Sequence, residues 1–246
     1  HTTIEGENRV FQKTEIPFYL EESLAPDVSE TADIYAASGK KVNTVTKTKT
    51  HPGLNYLVWK LDEQSATLPG AWIHNESRGI PVLPGDYRIV VRAGDDVDTT
   101  SVTVLSDPRF SLDAAVDEQL YAYQKAVDQQ VSRLADLLGD LDAKTEKLAK
   151  VLQYLEELEE AKFAEVPPTI EAMLAKLKAT RALGQVSRPS DRQVGAWQSN
   201  AVTAYSMIAE AQRKAMSRMT VPSGQDWGMI KQAEMLVDKF ELAVED

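Results

Sequence analysis

The sequence contains no cysteine, which excludes a disulfide scaffold, thiol catalysis and any Cys-based zinc or iron–sulfur site. It also has no run of about 18 apolar residues, so we expect no membrane-spanning helix. Positive charge is in deficit, with 27 Lys and Arg against 38 Asp and Glu and a formal net charge of −11. This acidic balance argues against nucleic acid and anionic membrane surfaces as partners.

Histidine is scarce, with single residues at His1, His51 and His74. None of them has a second histidine or a carboxylate at metal-ligand spacing, and each is interpreted as a surface or loop histidine. The sequence also lacks a Gly-rich phosphate loop, a GxSxG nucleophile elbow and an SxxK motif in the required strand-to-helix setting. We therefore predict no catalytic residues, no cofactor, no bound metal and no enzymatic activity for this chain.

The composition changes near Phe110. Residues 1–110 hold 12 of the 17 Thr, whereas residues 111–246 hold 21 of the 28 Ala. Strand-forming residues followed by helix-forming residues, without alternation, predict an α+β protein of two domains. We expect a linker or N-terminal extension over 1–13, a β-sandwich over 14–108 and an elongated α-helical bundle over 109–246.

Short alternating segments separated by turn residues fill the first half. The predicted strands are 15–22, 31–37, 41–48, 54–61, 87–92 and 97–105. Six or seven antiparallel strands in about 100 residues are typical of a β-sandwich. The stretch 62–83 has several Pro breaks and is predicted to be a long loop around one short strand.

The second half carries apolar stripes at helical spacing. The longest runs from Val116 to Leu155 in steps of three and four, and its unbroken phase across Gly139 favours one continuous helix. The predicted helices cover about 112–160, 167–183, 190–218 and 224–245, the third opening at a Ser190–Gln193 capping box. Amphipathic helices of this kind pack as a bundle, with Trp197 and Trp227 expected in its core.

One aromatic residue of the long loop is a candidate ligand contact. Trp72 lies in the loop-rich stretch, and His74 follows it closely. An exposed Trp can stack on a sugar ring, so a carbohydrate-binding module is one alternative function. A self-assembling structural protein that uses the long helix is another, because a residual apolar seam can form a homodimer.

Three strings occur in a characteristic order. They are 34–42 (IYAASGKKV), 53–61 (GLNYLVWKL) and 83–91 (LPGDYRIVV), and the β region then ends at 105–109 (LSDPR). Together they resemble the immunoglobulin-like (Ig-like) module of the flagellar-hook-capping type. Two positions depart from its usual pattern: Ala37 replaces an acidic or polar residue, and Lys60 replaces the Asp that follows the Trp.

Such a module followed by a long helical tail resembles the C-terminal region of large bacterial secreted proteins. Those proteins carry sortilin-like, BNR-repeat β-propellers and are often labelled glycosyl hydrolases. The resemblance implies an extracytoplasmic location, secreted, periplasmic or outer-membrane associated, and an upstream propeller that bears the family's functional surface. We therefore expect a non-catalytic spacer or docking region whose partner is a protein or that upstream propeller, and no site residues carry over.

Overall fold

The computed structural model describes residues 4–6, 9–11, 13–22, 29–68, 79–106, 114–158, 166–185, 202–217 and 220–245. The fold is α+β, with antiparallel sheets in the first half and four helices in the second. The chain divides into two compact units, His1–Ser65 with Asn75–Tyr121 and Ala66–His74 with Ala122–Asp246. We call them the β unit and the helical unit. This division differs from the predicted boundary at 108, since the described residues 66–68 go with the helices and the start of the long helix goes with the strands.

The six predicted strands are all present, each within about two residues of its expected bounds. The strands are β1 (Ile4–Gly6), β2 (Arg9–Phe11), β3 (Thr14–Leu20), β4 (Glu30–Ala36), β5 (Lys41–Lys47), β6 (Gly53–Trp59), β7 (Gly85–Ala93) and β8 (Asp96–Val104). The pair β1–β2 lies in the segment predicted as a linker, where three-residue strands are too short to give an alternating pattern.

Two antiparallel sheets share one hydrophobic core in the β unit. A two-stranded sheet pairs β3 with β6, and a four-stranded sheet has the order β5-β4-β7-β8. Its tight turns use glycines with positive φ, Gly39 at 82° and Gly94 at 61°. Trp59 of β6 is fully buried and meets the ring of Tyr87 of β7 edge-on, with 5.3 Å between the ring centroids.

The helical unit contains most of α1 (Ala114–Leu158) together with α2 (Val166–Gly184), α3 (Ala204–Ser217) and α4 (Gly224–Glu245). α1 runs through Gly139 without a break, as the unbroken phase of its stripe predicts. The stripe is fully buried from Tyr123 to Leu141 and half-buried beyond it, at Leu148, Leu152 and Leu155.

The third helix, expected over 190–218, is described from Ala204 to Ser217, after the non-helical Val202 and Thr203. Its predicted start at 190 lies outside the described residues. Thr203 and Ser206 cap the N-terminus of α3, because the Ser206 N–H donates to Thr203 Oγ1 (3.2 Å) and the Thr203 N–H donates to Ser206 Oγ (2.9 Å). Trp227, expected in the core, is 39% exposed.

Candidate functional site

The predicted ligand contacts Trp72 and His74 lie outside the described residues, as do His1 and Trp197. His51 is described and belongs to the turn before β6. Its N–H donates to Asn55 Oδ1 (3.3 Å), and its carbonyl oxygen accepts from Asn55 Nδ2 (2.7 Å). The part of the chain that the structure describes contains no group of three or more His, Cys, Asp or Glu that could hold a metal ion. Of its helices, none is both long and apolar enough to cross a membrane.

The outward side of the β3–β6 sheet is apolar and exposed to solvent. Tyr19 is 71% exposed, Leu54 51%, and Tyr56 and Val58 42% each. In the antiparallel register Tyr19 pairs with Leu54, and Pro17 pairs with Tyr56. Paired residues of adjacent antiparallel strands point to the same side of the sheet, with about 4.5–5.5 Å between their Cβ atoms. These side chains therefore form one continuous patch. We call it the β3–β6 outer face: Pro17, Tyr19, Leu54, Tyr56 and Val58.

This face follows from an unusual pattern in β6. Its inward residues are Asn55, Leu57 and Trp59, all buried, yet its outward residues Leu54, Tyr56 and Val58 are apolar as well. A strand with one solvated face normally alternates apolar and polar residues, and an unbroken apolar run is typical of a strand covered on both sides. The absence of alternation was visible in the sequence, but the tyrosines of this face were not among the predicted contacts.

The outer face of the four-stranded sheet has a different chemistry. Asp33 accepts a hydrogen bond from Thr44 Oγ1 (2.7 Å) and lies 3.4 Å from Lys41 Nζ. The Thr44 hydrogen bond and the Lys41 charge hold the pKa of the Asp33 carboxyl below its usual range, against the opposing effect of desolvation. The Arg88 guanidinium lies over the ring of Tyr35 at 4.5 Å from its centroid. Polar side chains therefore satisfy one another on this face, whereas the β3–β6 outer face is apolar.

The β3–β6 outer face carries little charge. Glu15 pairs with Val58 at one end of the sheet. Its Oε1 lies 2.8 Å from Lys13 Nζ, so the lysine compensates its negative charge. The polar atoms on the face itself are the two tyrosine hydroxyls. Sites for small polar ligands place several convergent polar groups in a concavity, whereas exposed apolar patches with tyrosine are typical of protein–protein contacts. The chemistry of this face therefore suits an apolar protein surface.

A second cluster contains two adjacent carboxylates, both less than a tenth exposed, where the chain leaves β6. Asp62 accepts hydrogen bonds from Asn43 Nδ2 at Oδ1 (3.0 Å) and from the Gly79 N–H at Oδ2 (3.0 Å). Its carbonyl oxygen accepts from Trp59 Nε1 (2.8 Å). Both carboxylate oxygens of Asp62 are thus used to join β5, the end of β6 and the chain before β7.

Glu63 extends this cluster. Its carboxylate accepts a hydrogen bond from Tyr121 at the start of α1 and lies 3.6 Å from Lys40 Nζ. Burial, together with the nearby Glu63 charge, raises the pKa of Tyr87 above its usual range. Leu61 adopts a left-handed backbone conformation with φ of 56°, which is costly for a branched side chain. We call Leu61, Asp62 and Glu63 the acidic corner, and its hydrogen bonds fix the path of the chain within the β unit.

No protein-family model, curated protein sequence or solved structure matches this chain. The family resemblance drawn from the ordered strings therefore stays a prediction.

Proposed function

We propose that this chain is a non-catalytic docking and spacer region of a larger secreted or envelope-associated bacterial β-propeller protein. The β3–β6 outer face is its protein-binding surface. The observation that carries the proposal is the exposure of Tyr19, Leu54, Tyr56 and Val58 on one side of one sheet. Burial of such side chains contributes roughly 1.5–3 kcal/mol each when complete, so a partner that covers this face gains substantial stability.

The proposed Ig-like sandwich is supported by the positions of the three strings. Residues 34–42 cover the end of β4, the turn and the start of β5, 53–61 contain β6, and 83–91 contain most of β7. Both sheets contribute to one core, which is the arrangement that an Ig-like sandwich requires. The proposed helical bundle is supported by a single cluster of buried residues drawn from α1, α3 and α4, together with Leu68.

The partner on the β3–β6 outer face is an apolar surface of the upstream propeller that the resemblance implies. The face is almost uncharged although the chain carries a formal net charge of −11. An uncharged patch on an acidic protein binds by burial of apolar area rather than by electrostatic steering, and its affinity should depend little on salt.

Cell fractionation tests the proposed extracytoplasmic location and the proposed larger parent protein. An antibody raised against this chain should detect an extracytoplasmic polypeptide much heavier than 27.2 kDa in the source cells. A cytoplasmic band of about the mass of this chain alone would contradict the propeller-tail proposal.

Photo-crosslinking tests the surface. A photoreactive phenylalanine analogue at Tyr56 of the parent protein should crosslink to the upstream part of the same polypeptide. The matched control replaces Tyr35, which lies on the polar outer face of the other sheet beneath Arg88. Crosslinks from position 35 alone, or from neither position, would refute docking through the β3–β6 outer face.

A carbohydrate-binding module is the second candidate function. Tyr19 and Tyr56 lie diagonally across the β3–β6 register, and two exposed aromatic rings on a sheet can stack on successive sugars. A glycan array probed with the wild-type chain and with Tyr56→Ala and Trp72→Ala tests this function. Glycan binding lost in Trp72→Ala would favour the predicted loop platform, and binding lost in Tyr56→Ala would favour the sheet face.

A further inference from the structure

The C-terminal half of α1 has an exposed stripe that its own unit does not use. Lys144, Lys147, Val151 and Tyr154 follow one another at steps of three, four and three residues, so they lie along one side of the helix. All four side chains are exposed, and the exposed fraction is 48% for Val151 and 62% for Tyr154. The half-buried leucines of this segment occupy a neighbouring stripe. The two exposed apolar residues are therefore additional to the stripe that faces the helical core.

The position of this stripe along α1 makes it accessible. Fully buried residues of α1 end at Leu141 among the described residues. Beyond that point Leu148, Leu152 and Leu155 are only half-buried. A helix that keeps heptad spacing after its intramolecular core has ended can bury more apolar area against another helix.

The charges on either side of Val151 have opposite signs. Residues 144–150 contain three lysines and one glutamate, and Lys150 already contacts that glutamate, Glu146, at 2.6 Å. Residues 151–158 contain Glu156 and Glu157 and no basic residue. The segment is thus positive before Val151 and negative after it. A second copy running antiparallel would place each positive half beside a negative half, whereas a parallel copy would align like charges.

We propose that two copies of this chain associate through antiparallel α1 helices, with Val151 and Tyr154 at the centre of the contact. A twofold axis between Leu152 and Gln153 brings Val151 of each copy beside Tyr154 of the other. The same axis places the two glutamates of one copy level with residues 148 and 149 of the other, between two lysines. This dimer uses the helical unit and stands independently of docking through the β3–β6 outer face.

Sedimentation of the full chain over a wide concentration range tests the association. The wild type should form a dimer, and the double variant V151Q/Y154Q should weaken it by roughly tenfold or more, since glutamine keeps helix propensity but removes the apolar contact. The matched control is M235Q/L242Q on α4, whose side chains are 63% and 64% exposed and one heptad apart. A wild type that stays monomeric, or a dimer weakened only by the control pair, would overturn the proposal.

Cysteine crosslinking tests the orientation without depending on affinity, because the chain has no cysteine of its own. In the proposed dimer the two copies of Val151→Cys are offset by about 5 Å along the helix axis, and those of Lys144→Cys by about 26 Å. Oxidation should therefore give a disulfide-linked dimer from Val151→Cys and not from Lys144→Cys. Equal crosslinking of the two variants would indicate a parallel pair, and no crosslinking of either would exclude this contact.

Discussion

Gly79 is a position where a single methyl group should disrupt the β unit. A Cβ added there would lie 1.4 Å from the carbonyl oxygen of Glu63 and 2.6 Å from its carbonyl carbon, both backbone atoms. No side-chain rotation relieves such a clash, so the chain at Gly79 must move away from the acidic corner. We therefore expect Gly79→Ala to be strongly destabilising.

The hydrogen bonds around this contact determine how much the free energy of unfolding should fall. Movement of the chain disrupts two backbone bonds, Glu63 N–H to Ile80 O (2.8 Å) and Val82 N–H to Leu61 O (3.0 Å), each worth about 1 kcal/mol. It also removes the Gly79 N–H from Asp62 Oδ2, which leaves a buried carboxylate oxygen without this donor at a cost of about 2 kcal/mol. The sum is about 4 kcal/mol, a large part of the 5–15 kcal/mol that typically stabilises a domain.

The control is a Gly→Ala substitution at a position with room for the added methyl group. Gly139 lies inside α1, is exposed and has no atom within 4 Å of an added Cβ. Gly139→Ala should therefore stabilise the helix by roughly 1 kcal/mol. Urea unfolding followed through the indole N–H signal of Trp59, which donates to Asp62, reports on the β unit directly. If Gly79→Ala lowers the free energy of unfolding by less than about 1 kcal/mol, an added Cβ at this position does not disrupt the acidic corner.

Three further predictions concern other parts of the molecule. Gly184→Ala should destabilise the helical unit by about 1–3 kcal/mol in thermal unfolding, because an added Cβ would lie 2.6 Å from the buried ring of Phe240. Asp33 has a lowered folded pKa, so its contribution to stability is full above about pH 4 and is lost as the pH falls through that pKa. Urea titrations at several pH values should thus show a gap between wild type and Asp33→Asn that closes below pH of about 4. Tyr56→Ser should change the free energy of unfolding by less than about 1 kcal/mol while removing the Tyr56-dependent partner contact, as measured by urea unfolding and partner capture.

The sequence predicts local structure well where local chemistry decides it. The hairpin turns at Gly39 and Gly94 require positive φ, and the flanking β-branched residues alternate, so strand bounds were predictable to within about two residues. The N-terminus of α4 was also predictable, because Ser223 and Asp226 lie three residues apart and cap the helix, with the Ser223 N–H donating to Asp226 Oδ2 (2.7 Å).

Features that depend on distant residues were not predictable in this way. The acidic corner accepts hydrogen bonds from Asn43, Gly79 and Tyr121, which are far apart in sequence and form no motif. Burial of Trp227 was overestimated because helical periodicity gives the direction of a side chain but not how much of it a neighbour covers. The ring of Trp227 packs edge-on against the ring of Tyr123, with 5.5 Å between the ring centroids.

One edge of each sheet favours docking by the face rather than by strand addition. An open sheet edge invites another strand, and proteins prevent this with proline or with charge on the edge strand. Pro17 removes a backbone donor from β3, which among the described strands pairs with β6 alone. At an edge of the other sheet, β8 carries exposed Asp96 and Asp98. These edges are thus protected against strand addition, whereas the apolar side chains of the β3–β6 outer face have no such protection. Selection against aggregation should have removed that face unless a partner covers it, which is the reason to look for the partner there.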